Sequence, residues 1–323
     1  MKAVLCREWG DPDSLTIEQT ASPEMGPGQV KIRVRAAALN FADTLMIAGS
    51  YQEKPPFPFS PGLEVAGEIM ETGEGVSGYV TGQRIMAVLN HGGFAQEAIA
   101  NVSDLMTIPG DLDFKAAAAF PIAYGTAHMG LVDKCKLTKG ESLIIHGASG
   151  GVGLAAIDVG RAVGANVIAV TSGDDKIAAV RKQGADHVID YKEGDVKDQI
   201  KALCPGGGDV YFDPVGGGSF ESSLRSAAPC ARILVVGFAG GQVPQIPANI
   251  LMVKNVTAIG FYWGAFRKIA PQSVKNSFNQ LQDWIKQGRL KPCDVMEFAF
   301  EDVALAMNTM KTRRSVGKIV LET

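Results

Sequence analysis

The fold is decided by the stretch Ile144-Ile145-His146-Gly147-Ala148-Ser149-Gly150-Gly151-Val152-Gly153. An apolar strand runs into a turn rich in glycine, and a segment of small residues at helical spacing follows. A helix that starts in this way offers free N–H groups and the positive end of its dipole to a pyrophosphate. The glycines permit the turn and let the backbone approach the phosphates. We therefore predict phosphate contacts from Ser149, Gly150, Gly151 and Val152, although a glycine-rich loop that merely turns the chain gives the same pattern.

The flanking sequence favours the phosphate interpretation. Short apolar segments typical of strands recur at 166–170, 187–190, 209–213, 232–237 and 255–260, with helical patterns at 174–183 and 220–226 between them. This alternation predicts a doubly wound parallel α/β sheet, in which ligands bind beyond the carboxyl ends of the strands. The residues at those ends are small, flexible or aromatic, which predicts one extended dinucleotide groove. Its further predicted contacts are Gly216, Gly237, Phe238, Ala239, Phe261 and Trp263.

The residues after the second strand of this sheet indicate which dinucleotide binds. Enzymes that use the unphosphorylated cofactor usually place a carboxylate there, on the ribose 2′-OH. This chain has Thr171 and Ser172, with Lys176 four residues on and Tyr191 after the next strand. Hydroxyls, a cation and a phenol suit a 2′-phosphate, so we predict NADPH as the cofactor. Against this stand the acidic residues at 174 and 175, and Lys176 is equally well explained as a solvated helix residue.

Composition places the chain among soluble enzymes. Its 323 residues suit two domains, and a net charge of −3 without a basic cluster argues against nucleic acid or anionic membranes as partners. No apolar run approaches the ~18 residues of a membrane span, and the N-terminus lacks a signal-peptide pattern. Five dispersed cysteines and four unpaired histidines predict free thiols and no metal site. A cytoplasmic location is expected.

Residues 1–120 have a different pattern from the rest. Alternating segments at 15–18, 30–35, 65–69, 84–89, 94–99 and 105–108, separated by Pro- and Gly-rich turns, predict a small, mostly antiparallel β domain. An amphipathic helix at 273–286, a helix at 302–310 and a last strand at 317–321 follow the parallel sheet. We expect 265–323 to complete the first domain, because six parallel strands already complete the sheet. The dinucleotide-binding domain is then 121–264.

The chain resembles the medium-chain dehydrogenase/reductase superfamily along its whole length, and within it the zinc-free quinone oxidoreductases related to zeta-crystallin. The matching segments include Asn40-Phe41-Ala42-Asp43-Thr44, Pro61-Gly62-Leu63-Glu64-Val65-Ala66-Gly67, Ala123-Tyr124-Gly125-Thr126-Ala127 and Asp213-Pro214-Val215-Gly216-Gly217. Together with the glycine-rich turn, these segments are far more specific than the glycines alone. The resemblance implies a GroES-like barrel domain beside a Rossmann domain, NADPH as cofactor and commonly a homodimer joined through the Rossmann sheets.

The zinc-dependent alcohol dehydrogenases of this superfamily resemble the chain in fold but differ at the metal. They need a cysteine early in the first domain and a Gly-His-Glu motif, whereas this chain reads Gly62-Leu63-Glu64 and has no cysteine between Leu39 and Thr44. Without a Lewis acid to ionise an alcohol, alcohol oxidation loses its main driving force. The sequence therefore predicts a reaction that does not depend on zinc.

The resemblance implies that Asn40, Asp43 and Thr126 lie beside the reacting groups, and we take them as the candidate catalytic residues. Simpler roles exist for all three: Asn40 and Asp43 as turn formers, and Thr126 as the cap of a following helix. The family often has tyrosine two residues after the aspartate, where this chain has Leu45. Tyr51 is an alternative pocket residue, and Phe238, Phe261 and Trp263 suit either the walls for a flat ring or packing in a dimer interface.

These residues predict an NADPH-dependent, zinc-independent reductase that transfers hydride to a quinone or a related enone. Such acceptors need little activation, so that positioning and a few hydrogen-bond donors suffice. Two alternatives stay open. One is a non-enzymatic NADPH-binding protein of the crystallin type. The other is an enoyl-thioester reductase, for which a basic patch toward the CoA phosphates is expected and is not evident.

Overall fold

The structure is a computed structural model that describes every residue from Met1 to Thr323. The chain divides into two compact units, Met1–Ile122 with Asp294–Thr323, and Ala123–Cys293. The strands and helices of the first unit's N-terminal part are β1 (Lys2–Leu5), β2 (Thr16–Gln19), β3 (Gln29–Ala38), α1 (Phe41–Ile47), β4 (Glu64–Thr72), β5 (Arg84–Val88), β6 (Glu97–Asn101), β7 (Leu105–Thr107) and α2 (Phe114–Ala118).

The division between the units falls within a helix, α3. The elements from there to the end of the second unit are α3 (Pro121–His128), continued by a π-helical turn (Met129–Lys134), β8 (Ser142–His146), α4 (Gly151–Val163), β9 (Asn166–Thr171), α5 (Asp174–Gln183), β10 (His187–Asp190), α6 (Val196–Leu203), β11 (Gly208–Asp213), α7 (Gly218–Ser226), β12 (Ala227–Val235), α8 (Ala248–Lys254), β13 (Thr257–Gly260), α9 (Trp263–Ile269) and α10 (Pro271–Lys286). The chain then returns to the first unit with β14 (Val295–Ala299), α11 (Val303–Lys311) and β15 (Lys318–Glu322).

The first unit is built on a seven-stranded sheet. Six strands follow the order β14-β15-β3-β4-β5-β7, and β6 pairs with β3 off this path. All pairs are antiparallel except β14 with β15, which agrees with the predicted, mostly antiparallel β domain. Alternation along β3 explains its role, since Val30, Ile32 and Val34 are buried while Arg33 and Arg35 are exposed. Its core also takes in Phe300, Val303 and Met307 from the C-terminal elements.

The second unit is a six-stranded sheet in which every pair is parallel. The strand order is β10-β9-β8-β11-β12-β13. From β8 the chain first adds strands on one side of the sheet and then, from β11, on the other side, as in dinucleotide-binding folds. The strands on either side of that point are apolar because helices cover both faces of such a sheet. The predicted doubly wound sheet is therefore confirmed, and its crevice opens at the ends of β8 and β11, beside the glycine-rich turn.

The structure differs from the sequence interpretation at the C-terminal side of the parallel sheet. We expected residues 265–323 to complete the first domain, but residues 265–293 belong to the second unit, and only 294–323 return to the first. The apolar face of α10 explains the difference. Phe278 packs edge-on against Trp263, Ser277 bonds to His128, and Trp284 lies edge-on to the same histidine. These contacts hold α10 to α3 and α9.

Candidate dinucleotide site and buried charge cluster

The glycine-rich turn between β8 and α4 has the geometry that a phosphate cradle needs. Gly147 adopts a φ of +57°, which favours glycine, and its carbonyl accepts the Gly150 N–H at 3.0 Å. A Cβ on Gly153 would lie 2.5 Å from the Gly147 oxygen and 2.6 Å from the Ala148 oxygen, so only glycine lets α4 approach the turn this closely. The first N–H groups of α4, at Gly151 and Val152, have no partner within the helix, and both residues are part-exposed.

The end of β9 is fastened to this turn. The Thr171 hydroxyl donates to the Ser149 hydroxyl at 3.0 Å, and both side chains are buried. Tyr191, which follows β10, donates its main-chain N–H to the Thr171 carbonyl and keeps an exposed ring. Lys176 lies in the first turn of α5 and is half-buried. The predicted residues Ser149, Thr171, Ser172, Lys176 and Tyr191 thus lie in or beside the turns and helix that follow β8, β9 and β10.

A carboxylate also lies in this region, which the sequence interpretation did not include. Asp190 ends β10, and its pKa is lowered mainly by the Lys192 N–H and also by the Ser172 side chain. The Ser172 hydroxyl is buried near this carboxylate but has no hydrogen-bond partner. Asp174 is the first helical residue of α5, after the N-cap Gly173, so this acidic side chain also lies in the first turn of the helix. A carboxylate near Ser172 opposes a 2′-phosphate, and Lys176 is the one cation among the residues predicted for the ribose end.

The loops after β11 and β12 complete the strand-end surface. Buried Asp213 shapes the first loop because one of its oxygens accepts the N–H groups of Val215 and Gly216 at 2.8 and 2.9 Å. Ala239 and Gly240 donate back to the carbonyls of residues 214 and 215. A Cβ on Gly216 would meet the Phe238 ring at 2.9 Å. The predicted contacts Gly216, Gly237, Phe238 and Ala239 therefore form one connected surface, with Phe238 and Ala239 exposed on it.

Phe261 and Trp263 have a different environment from Phe238. Both are 4% exposed, whereas Phe238 is 40% exposed. The Trp263 indole lies so close to α3 that a Cβ on Gly125 would meet it at 2.7 Å. Phe261 packs against Phe266 and against Gly130. These contacts give the two side chains a packing role inside the second unit, and they leave Phe238 as the exposed one of these three aromatic side chains.

Thr126 is buried in the last turn of α3. Its alternative role as the cap of a following helix is wrong, because the residue lies inside a helix. The same helix is anchored by Tyr124, whose hydroxyl donates to one oxygen of Asp158 in α4 at 3.0 Å. That oxygen also accepts the Lys291 N–H at 2.8 Å. Burial raises the pKa of Asp158 to about 6, against the lowering effect of these bonds.

In the first unit, Asn40 belongs to a buried charge cluster that the sequence did not reveal. Its amide nitrogen donates to Glu64 Oε1 at 3.0 Å, and its amide oxygen accepts a hydrogen bond from Lys318. Lys318 also forms an ion pair with Glu64 Oε1 at 2.6 Å, with side-chain exposures of 6% and 0%. The other Glu64 oxygen accepts the Ile122 N–H at 2.8 Å. We refer to Asn40, Glu64 and Lys318 as the Asn40 cluster.

Asp43 lies next to this cluster and is completely buried. One of its oxygens accepts the Asn40 main-chain N–H at 2.7 Å and the other accepts the Gly62 N–H at 3.2 Å. Burial raises the pKa of Asp43 to about 7, partly offset by the hydrogen bond from Asn40 and the charge of Lys318. With both oxygens occupied by the backbone, this carboxyl holds the start of α1 against the Gly62 turn, as in the simpler role considered from the sequence.

Sequence reasoning missed Lys318 because it lies far from its partners along the chain. Pairing of β15 with β3 brings it there, with Val320 opposite Ala38. Glu64 was visible in the Gly-Leu-Glu segment, but nothing in that segment indicates its partner. Across the structure, no group of three or more His, Cys, Asp or Glu side chains is arranged to hold a metal ion. None of the helices combines the length and the hydrophobicity that a bilayer crossing requires.

Comparison with protein families matches both units. Residues 26–110 match the alcohol dehydrogenase GroES-like domain, and residues 151–286 match the zinc-binding dehydrogenase domain. The quinone oxidoreductase-like protein 2 homolog of Nematostella vectensis is 41% identical over 327 residues, which cover 100% of this chain and 89% of the relative.

Solved structures resemble the chain over its full length. A quinone oxidoreductase of Pseudomonas syringae has a TM-score of 0.92 at 28% identity, covering 100% of this chain and 99% of the other. A mycobacterial protein solved in complex with NADPH has a TM-score of 0.93 at 26% identity, with 100% of both chains covered.

Proposed function

We propose, because the chain belongs to the zinc-free quinone oxidoreductase group of the medium-chain dehydrogenase/reductase superfamily, that it is an oxidoreductase which uses NADPH to reduce a quinone or a related enone. The observation that carries this proposal is the cradle at the start of α4, together with the strand-end surface beside it. The mycobacterial relative complexed with NADPH supports the choice of cofactor.

The residues present fit a dinucleotide. The N–H groups of Gly151 and Val152 would hold the pyrophosphate, since they open a 13-residue helix whose dipole favours negative charge. The side chains of Thr171, Ser172 and Lys176 would hold the adenosine ribose with its 2′-phosphate. Gly216, Gly237, Phe238 and Ala239 would border the rest of the cofactor. When bound, NADPH supplies a hydride from its reduced nicotinamide.

The protein's share of the chemistry is positioning and hydrogen-bond donation. A quinone or an enone gains negative charge on oxygen as hydride reaches carbon, and a fixed donor near that oxygen lowers the barrier. We propose that the Asn40 amide and the Thr126 hydroxyl are such donors and that Asp43 positions Asn40 through its main-chain N–H. The proton for the product oxygen comes from water or a hydroxyl.

We also propose that the reaction needs no zinc. Leu63 occupies the position at which the zinc enzymes carry a ligand histidine, and the nearby polar side chains, Asn40, Glu64 and Lys318, are already bonded to one another. A buried ammonium at the centre of such a cluster repels a divalent cation. This donor set therefore suits an organic acceptor better than a metal ion.

Purified protein mixed with NADPH and a simple benzoquinone tests the proposal. We expect loss of the NADPH absorbance that depends on both protein and quinone and persists after treatment with a strong chelator. Binding of NADPH without quinone-dependent oxidation would indicate a binding protein of the crystallin type. Oxidation that occurs with an enoyl thioester but not with quinones would indicate the thioester reductase, and loss of activity on chelation would contradict zinc independence.

A homodimer and a cytoplasmic location are further parts of the proposal. The outer edge of β13 lacks a strand partner, and exposed Met252 and Val253 of the preceding helix lie close to it in the sequence. Such an edge suits pairing with a second copy of the sheet. The five free thiols suit a reducing compartment. Fractionation of cells with a marker for each compartment tests the location.

A further inference from the structure

The Asn40 cluster contains more charge than a structural contact requires. An ion pair with side-chain exposures of 6% and 0% is costly to bury, because both groups lose their hydration. Apolar residues of similar size would fill the same space at no such cost. The role of the Lys318–Glu64 ion pair is evident only from the residue that both side chains contact. Lys318 and Glu64 bond to the two ends of one amide, that of Asn40.

The charges decide the orientation of this amide. An asparagine amide is nearly symmetric in shape, and its two orientations differ only in where the oxygen and the nitrogen lie. Here Lys318 has only donors and Glu64, when ionised, has only acceptors. Rotation of the amide by half a turn would place its N–H groups against the ammonium and its oxygen against the carboxylate. The ion pair therefore permits one orientation.

This orientation leaves a defined donor unused. The Asn40 amide has two N–H bonds, and Glu64 accepts one of them at 3.0 Å. The residue keeps 8% of its surface exposed, unlike fully buried Asp43 beside it. Glu64 also accepts the N–H of Ile122, which lies one helical turn before Thr126 in α3. A single carboxylate thus contacts the Asn40 amide and the first turn of α3.

We propose that Lys318 and Glu64 are positioning residues for hydride transfer: their ion pair fixes the Asn40 amide so that its second N–H is directed to the acceptor oxygen. This inference rests on the proposed function and goes beyond it by assigning the step to two residues that touch neither substrate nor cofactor. Loss of either charge removes one of the two contacts that hold the amide. The amide then shifts or turns, and its second N–H is no longer directed to the growing negative charge.

Single-turnover hydride transfer to a benzoquinone at saturating NADPH tests this inference. We expect Lys318→Met and Glu64→Gln each to slow hydride transfer about 100-fold, the usual cost of one misplaced oxyanion donor. The Kd for NADPH should stay within about twofold, because the cradle lies in the other unit. Lys318→Arg keeps the charge and the donors, and should recover the rate to within about tenfold of the wild type.

Lys115→Met is the matched control, since Lys115 forms part-exposed ion pairs with Glu297 and Glu322 in the same unit. It should leave hydride transfer unchanged.

Rates within twofold of the wild type in both Lys318→Met and Glu64→Gln would overturn the inference. So would a parallel loss of NADPH affinity and melting temperature without recovery in Lys318→Arg, since that indicates a purely structural pair. If Lys318→Met does not fold, the hydride-transfer rates of Glu64→Gln and Lys318→Arg test the inference instead. A wild-type protein that reduces no quinone would instead refute the proposed function.

Discussion

At the scale of single residues, we expect the side chains at the ends of β9 and β10 to determine the relative affinity for NADPH and NADH. In the proposed site, the hydroxyls of Thr171 and Ser172 suit a 2′-OH or a 2′-phosphate. Lys176 favours the phosphate, and the carboxylate of Asp190, near Ser172, disfavours it. A charged hydrogen bond is worth ~1.5–3 kcal/mol, and 1.4 kcal/mol corresponds to a factor of ten. Because the two hydroxyls suit either cofactor, the lysine carries most of the discrimination.

We expect Lys176→Ala to weaken NADPH binding about tenfold and to change NADH binding less than twofold. The reason is that only NADPH carries the phosphate that the ammonium would neutralise. Titration of intrinsic fluorescence with each cofactor measures both constants. Lys182→Ala, at the other end of α5, is the control and should change neither. Equal losses for NADPH and NADH would show that Lys176 does not recognise the 2′-phosphate.

The Asn40 cluster and Asp43 show where residue patterns stop being informative. Asn40 and Asp43 were visible in the sequence because they stand together in a segment of known type. Their environment was not, since Lys318 reaches them only when β15 pairs with β3. Burial depends on such pairing, and burial gives Asp43 its raised pKa. Residue types were therefore predictable, whereas their charges and partners required the fold.

At the scale of elements, the parallel sheet was predictable because each strand and helix carries its own local pattern. The helix at 174–183 matches α5, which ends in left-handed Gly184. The short helices α1, α8 and α9 and the strand β14 were not predicted. These elements have 5 to 7 residues each. Helices this short are unstable alone, so that tertiary packing decides them rather than propensity.

The close contact between α4 and the glycine-rich turn yields a second prediction. Gly153→Ala would place a methyl group within 2.6 Å of two main-chain oxygens, so that α4 must move away from the turn. We expect a loss of ~1–3 kcal/mol in the free energy of unfolding, as for overpacked sites. We also expect at least tenfold weaker NADPH binding, since the phosphate N–H groups move with the helix.

Chemical denaturation and cofactor titration check this prediction. Gly206→Ala serves as the control, because the space around Gly206 is open and a methyl group there meets nothing within 4 Å. It should leave both quantities unchanged. Wild-type NADPH affinity in Gly153→Ala would mean that the start of α4 does not bind the phosphates.

The anchoring of α3 to α4 through Asp158 gives a third prediction, which concerns pH. Burial raises the pKa of Asp158 from 3.8 to about 6, so the folded state keeps a proton that the unfolded chain releases near pH 4. The stabilisation from this group is complete below pH 4 and is lost as pH rises through about 6. Asp158→Asn does not titrate, and its amide oxygen can still accept from Tyr124 and Lys291.

We therefore expect the stability of the wild type relative to Asp158→Asn to fall by about 1 kcal/mol between pH 5 and pH 7.5. Urea denaturation of both proteins at the two pH values measures the difference. Tyr124→Phe, which removes one donor and keeps the titrating group, should follow the wild-type pH dependence more closely than Asp158→Asn does. A difference that stays constant over this interval would show that Asp158 is ionised throughout.

At the scale of the whole molecule, the unpaired edge of the six-stranded sheet must either be shielded from association or take part in a subunit contact. β13 is a four-residue strand at that edge, and α8 before it exposes 73% of Met252 and 76% of Val253. Apolar side chains beside an unpaired strand edge favour association with another copy. Pairing of two β13 strands about a two-fold axis would continue the sheet through both copies and cover these side chains.

We predict that the wild type sediments at twice the 34.1 kDa of one chain and that Met252→Lys/Val253→Lys shifts it toward the monomer. The two lysine ammonium groups of each copy would lie opposite those of the other copy across the axis. Their repulsion opposes association and adds no strain within the unit. Leu305→Lys, at an exposed position of α11 in the first unit, is the matched control and should remain dimeric. Sedimentation velocity over a hundredfold range of concentration separates the two states. A wild type that stays monomeric throughout would contradict the dimer. A double variant that is as dimeric as the control would show that the subunit contact lies elsewhere.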